Sequence, residues 1–228
     1  MINIIKRYYP IIPILGMGAY IIVFILAAKE YPGGSENVPN DAGYSFFHNF
    51  LCDAMLVITP DEVPNPARAL ATISHLILSG TMIFFFFLLP NIFDWENRNT
   101  KIIRYVGMLT MTVFIFMYTD VHDHIVTATG LLGTVALLPF FVEMRRYPDG
   151  GHKTLAYVCF ILSIVVFFSF ETRIGFYYLP FLQKITFFFD AWWVIWVSLI
   201  VLKKNLAPSE DDSLIENNEV RASVFAGR

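Results

Sequence analysis

The sequence predicts an all-α protein: a single bundle of six transmembrane helices, both termini cytoplasmic, with a short interfacial helix in the first outer loop. Three observations predict it. The chain is 56% hydrophobic and 15% charged, where an ordinary soluble domain is about 25% charged. Six apolar runs approach or exceed the length that crosses a hydrocarbon core of about 30 Å. The 16 Lys and Arg residues divide unevenly between the loops, and that bias sets a direction in the membrane.

The first span covers residues 10–28, after Lys6 and Arg7. Its length and the lack of an A-x-A site favour a retained helix over a signal peptide. Residues 29–66 form the longest loop. Within it, Tyr44–Ile58 places Phe46, Phe47, Phe50, Leu51, Ala54 and Ile58 at helical spacing, with His48, Asn49, Cys52 and Asp53 largely opposite. That pattern predicts an amphipathic helix lying on the membrane. Asn65-Pro66 opens the second span, 67–92, as proline does at helix starts. The third span covers 102–118 and the fourth 124–141, joined by a short turn holding Asp120, His122 and Asp123. The fifth covers 154–170, after the turn residues Pro148-Asp149-Gly150-Gly151. The sixth covers 181–202. These spans make one domain, 1–206, and residues 207–228 are expected to form a disordered acidic cytoplasmic tail.

Charge tests this arrangement. With the N-terminus inside, the cytoplasmic segments hold Lys6, Arg7, Arg98, Lys101, Arg104, Arg145, Arg146, Lys153, Lys203, Lys204, Arg221 and Arg228. The outer side holds Lys29, Arg68, Arg173 and Lys184. The bias keeps the same sign at every loop, and a seventh span at 44–58 would break it. The host membrane is a bacterial cytoplasmic membrane or a eukaryotic endomembrane. A net charge of −3 argues against a nucleic-acid partner, which needs a concentrated basic face.

Ionisable groups inside a membrane are expensive, roughly 2.5–3.5 kcal/mol each on insertion scales. His75 and Asp190 are therefore the first candidates. On the second helix Arg68, Thr72, His75 and Ser79 form one stripe, and on the sixth Gln183, Thr186, Asp190 and Trp193 form another. Both stripes should face the bundle interior, with His75 and Asp190 at about the same depth. Spans two, four and six start on the outer side, so their N–H-rich ends point there, beside Arg68, Arg173 and Lys184. This predicts a pocket in which Arg68, Arg173, His75 and Asp190 bind an anionic lipid head group. The plainer reading stands beside it. Asp120 and Asp123 cap the fourth helix, His75 bonds Asp190 to hold the bundle, and the outer cations snorkel to head groups.

A metal site is the sharper alternative. His122, His124, Asp120 and His75 supply ligands that suit zinc or a similar divalent ion. In an extended turn His122 and His124 point the same way; on a helix they stand about 200° apart and cannot chelate together. Gly130, Gly133 and Ala136 give the fourth helix a small-residue packing face. There is no phosphate loop, nucleophile elbow or haem motif.

The six spans, the long first outer loop, NPARA opening the second span, HDHIVTATG opening the fourth and LPFLQKITFFFDAWWVIWVSLIVLKK as the last resemble the Frag/DRAM/Sfk membrane proteins and related bacterial membrane proteins of unknown function. The resemblance covers residues 7–204. It implies a lipid-handling or trafficking protein, with His124 as its fourth-helix histidine, and transfers no catalytic set. Ser74-His75, Asp120 and Asp190 also resemble the zinc site of ceramidase-like membrane hydrolases, whose seventh span and late H-x-x-x-H pair this chain lacks.

Three roles stay open: a lipid-binding membrane protein, a subunit partnered with other membrane proteins, or a metal-dependent intramembrane lipid hydrolase. The partners common to all three are membrane lipids, with a phospholipid as the expected bound molecule.

Overall fold

The computed structural model describes residues 7–207, and six helices account for most of them. They are α1 (Ile11–Glu30), α2 (Arg68–Leu88), α3 (Arg98–Phe114), α4 (His122–Met144), α5 (Gly150–Thr172) and α6 (Leu179–Leu206). Short 3-10 turns extend α2 through Ile92 and α3 through Tyr118, and one at Phe176–Tyr178 leads into α6. All six are long and apolar enough to cross a membrane. The expected tail, beyond Ala207, lies outside the described residues.

The helix ends explain themselves locally. Asn65 sets the start of α2: its Oδ1 accepts from the Ala67 N–H at 3.0 Å, while its Nδ2 donates to the Ala54 and Leu56 carbonyls. A reciprocal capping box between Asn97 and Thr100 opens α3. Asp149 opens α5 by accepting from the Gly151 and His152 N–H groups. Pro180 sits in the first turn of α6, where its missing N–H is harmless. Arg173, at φ 60°, ends α5 in the left-handed region. Asp120 and Asp123 were expected to cap α4, but its N-cap is Val121 with no side-chain bond; Asp123 lies in the first turn.

Neighbours pack in chain order, α1 on α2, α2 on α3, α3 on α4 and α5 on α6, and α6 closes back on α1. The ring is loose at one seam: α4 and α5 stand apart, bridged by aromatic side chains. The Phe141 and Phe160 rings lie 4.2 Å apart, and Phe167 packs on Gly130. The outer surface is apolar at Leu15, Ile22, Leu131, Ile161 and Phe188, all exposed. Such a continuous apolar exterior suits lipid rather than water. The interior is aromatic, with Phe85 and Phe140 each in edge contact with Trp193.

Basic side chains meet at one end of the bundle. Arg7 donates to the Leu206 carbonyl at 3.0 Å, Arg104 to Asn91 at 2.9 Å and Lys204 to Asp94 at 2.7 Å.

Loop 31–67 covers the opposite end, and here the structure corrects the sequence reading. Residues 44–58 form turns and one 3-10 segment, Asp53–Met55, rather than an amphipathic helix. The polar side chains turn inward and the apolar ones outward: Asn49 is 0% exposed, whereas Phe46 and Phe47 are 51% and 59% exposed. Asn49 Nδ2 donates to the Gly34 carbonyl at 2.6 Å and to Asp53 at 3.0 Å. Asp53 also accepts from the Phe50 N–H at 2.9 Å. These bonds to backbone compete with helix formation and win.

The α2–α3 crossing depends on Gly107. A Cβ there would meet the Phe86 ring at 2.1 Å, and Phe86 is 5% exposed. Gly107→Val is expected to destabilise the protein by about 2 kcal/mol through overpacking. Thermal unfolding in detergent should show a midpoint roughly 4–8 °C lower; an unchanged midpoint contradicts the close approach.

Candidate functional site

A cavity of about 800 Å³ lies between α3, α4, α5 and α6 beneath the loop. Helix geometry gives its depth at 1.5 Å per residue. Counted from the loop ends of α4, α5 and α6, its floor at Phe140, Ala156 and Trp193 lies about 21–27 Å in. The cavity therefore runs along most of the bundle and stops short of the basic end.

Its chemistry is graded. The mouth carries Glu36, Asp53, Asp120, His122, Asp123 and Arg173. The shaft is mainly apolar, with Val126, Leu137, Phe160, Val166 and Phe187 on its walls. Gln183, Thr186, Asp190 and Trp193, the stripe read on the sixth helix, all line it. Gly130 and Gly133 let the α4 backbone form a wall, and Gly133 has room for a side chain, its nearest neighbour being Thr110 at 3.8 Å.

Each residue singled out from sequence has a definite place. Asp190 faces the shaft about 16 Å from the start of α6, with the Cys159 thiol as a neighbour on the same wall. His75 was expected to bond Asp190; instead its Nε2–H donates to the Phe114 carbonyl at 2.8 Å. Its ring packs on Phe114 at 4.8 Å and borders a separate void of about 60 Å³. It lies about 10 Å from the start of α2, so the two groups sit at different levels. Arg173 is on the cavity wall but already engaged: Nη1 is 3.3 Å from Glu36, and the guanidinium lies 4.2 Å over the Phe176 ring. Arg68 is exposed at the start of α2 and not on that wall. The structure thus does not bring Arg68, Arg173, His75 and Asp190 together.

The proposed metal ligands are likewise dispersed. His122 and His124 both lie on helical backbone in the first turn of α4, the geometry in which they point apart. His122 Nδ1 is 3.0 Å from Asp123, and its buried Nε2 has no partner. His124 and Asp120 are exposed, and His75 belongs to the other void. Among the described residues no three His, Cys, Asp or Glu side chains gather to hold a metal.

Lys184 departs furthest from expectation. Rather than snorkelling, it is 7% exposed. Its ammonium donates to the Asn49 carbonyl and, at 3.1 Å, to the Pro180 carbonyl, and it lies 5.4 Å over both the Tyr44 and Phe46 rings. With Gln183, whose Oε1 accepts from the Leu51 N–H at 2.9 Å, it clamps the loop over the mouth.

Two buried groups escaped the sequence reading. Glu143, 1% exposed, accepts from Trp95, Asn97 and Asn99. His152, 0% exposed, lies in the first turn of α5 against Tyr147 and Trp196, with both ring nitrogens unpartnered. The usable signal was Asp149, a helix N-cap residue three positions before it.

Compared with known proteins, the chain matches no family model, no curated protein and no solved structure.

Proposed function

We propose that this integral membrane protein holds one amphiphilic molecule, a membrane lipid or a molecule of similar build. Its polar group meets the carboxyls of the mouth or of Asp190, and its apolar part fills the shaft. The observation that carries the reading is the shape and grading of the cavity: long, about 800 Å³, polar at the mouth and apolar below. That volume lies in the range of dedicated small-molecule sites. The loose α4–α5 seam supplies a route from the bilayer that does not require the loop to open. If the basic helix ends mark the cytoplasmic face, the mouth opens on the other side.

The test is extraction. Protein purified in mild detergent and extracted with organic solvent should yield about one amphiphile per chain by mass spectrometry. Ser163→Trp places an indole in the shaft, where Ser163 lines the wall, and should remove it. Equal recovery from both proteins, or nothing specific from either, overturns the proposal.

A further inference from the structure

Resting on the reading above, we propose that the occupant is an amine: a lipophilic molecule whose single ammonium group sits against Asp190.

Charge on the wall comes first. Five carboxyl groups face the cavity, those of Glu36, Asp53, Asp120, Asp123 and Asp190. Among the described residues the wall carries one permanent cation, Arg173, and Glu36 already holds it at 3.3 Å. Lys184 cannot serve, because its ammonium is bound to loop and helix carbonyls and is not on the wall. An anionic head group would meet repulsion here that weak dielectric screening strengthens. An ammonium would meet attraction along the whole path from mouth to shaft.

Asp190 supplies the end point. It lies about 16 Å from the start of α6, near the middle of a ~30 Å core. A carboxyl at that depth calls for a partner, and its neighbour on the wall, the Cys159 thiol, is only a weak donor. The surroundings suit an organic cation. Phe140, Phe187 and Trp193 share the cavity wall with it, and aromatic faces attract ammonium groups once water is excluded.

Trp193 closes the cavity below Asp190: it is 7% exposed and lines the wall, three residues further along the same face of α6. The apolar shaft takes the remainder, which must be a hydrocarbon chain or an aromatic body.

The test compares three probes of one chain length: decylamine, decanol and decanoate. Each is titrated against the full chain in nanodiscs of zwitterionic lipid, with empty discs subtracted, and tryptophan fluorescence and thermal shift are read. Decylamine should bind saturably and at least tenfold more tightly than decanol, with decanoate weakest. Asp190→Asn should bring decylamine to the level of decanol, while Asp190→Glu keeps the preference and shows that the fold tolerates change there. Ser163→Trp should abolish binding of all three. Equal binding of decylamine and decanol, both lost in Ser163→Trp, overturns the amine assignment and leaves the cavity reading standing. Tighter binding of decanoate than of decylamine does the same. Binding of none, or binding that survives Ser163→Trp, overturns both.

Discussion

Glu143→Ala is expected to destabilise the bundle by about 3 kcal/mol, the largest effect of any single side-chain truncation at the basic end. The carboxylate sits in the last turn of α4, where the helix dipole disfavours negative charge. Two donors from the segment joining α2 to α3 and a third from the first turn of α3 hold it there. Trp95 Nε1 donates to Oε2 at 2.7 Å, and Asn97 and Asn99 donate to Oε1 at 2.9 and 2.5 Å. Hydrogen bonds to a charged acceptor contribute roughly 1.5–3 kcal/mol each. The three donors are only partly buried and can turn to water, so the loss is less than the sum. Thermal unfolding in detergent should show a midpoint roughly 6–12 °C lower. Glu143→Gln keeps one oxygen for two of the donors and should lose about half as much. A midpoint within 1 °C of the parent protein in the alanine variant would show that the network contributes nothing.

Glu143 also shows what a sequence can and cannot reveal. The six helices were legible because length and apolar composition suffice to define a membrane span. The stripe Gln183, Thr186, Asp190 and Trp193 was legible because helical periodicity alone decides which residues share a face. Contacts between helices were not. Nothing in the spacing of His75 and Asp190 says that the first would find a backbone carbonyl on α3 at 2.8 Å and leave the second to the shaft. Residues 44–58 misled for a specific reason. Their apolar period matched a helix, yet Asn49 and Asp53 bind backbone inside the loop, and local side-chain bonds outweighed the pattern. Arg173 and Arg68 looked equivalent by position. Only the fold shows that one lies on the cavity wall, tied to Glu36, and the other outside it.

Lys184→Met should release the loop while leaving the helices in place. The substitution keeps most of the apolar stem and removes the ammonium, which bonds the carbonyls of Asn49 and Pro180 from a site 7% exposed. Losing a buried charged donor and stranding a carbonyl costs about 2–3 kcal/mol, concentrated on the docking of residues 44–56. Helical circular dichroism should be unchanged, while protease cleavage between 32 and 66 becomes at least tenfold faster; equal cleavage rates would contradict the clamp. Asp53 adds a pH dependence. Burial pushes its carboxyl from 3.8 up to about 6, and the nearby Lys184 charge opposes that rise. The docked loop therefore binds a proton more tightly than the undocked one. Docking is firmest below about pH 4 and weakens as the pH climbs towards 6. Without the Lys184 charge the carboxyl rises further, and the window of weakening extends upward. Amide exchange at residues 49–55, corrected for the intrinsic pH dependence of exchange, reads this directly. Protection in the parent protein should fall between pH 4 and 6, and in Lys184→Met it should go on falling above 6. Protection that rises with pH would mean that hydrogen bonds from Asn49 and Phe50, rather than burial, govern the Asp53 carboxyl.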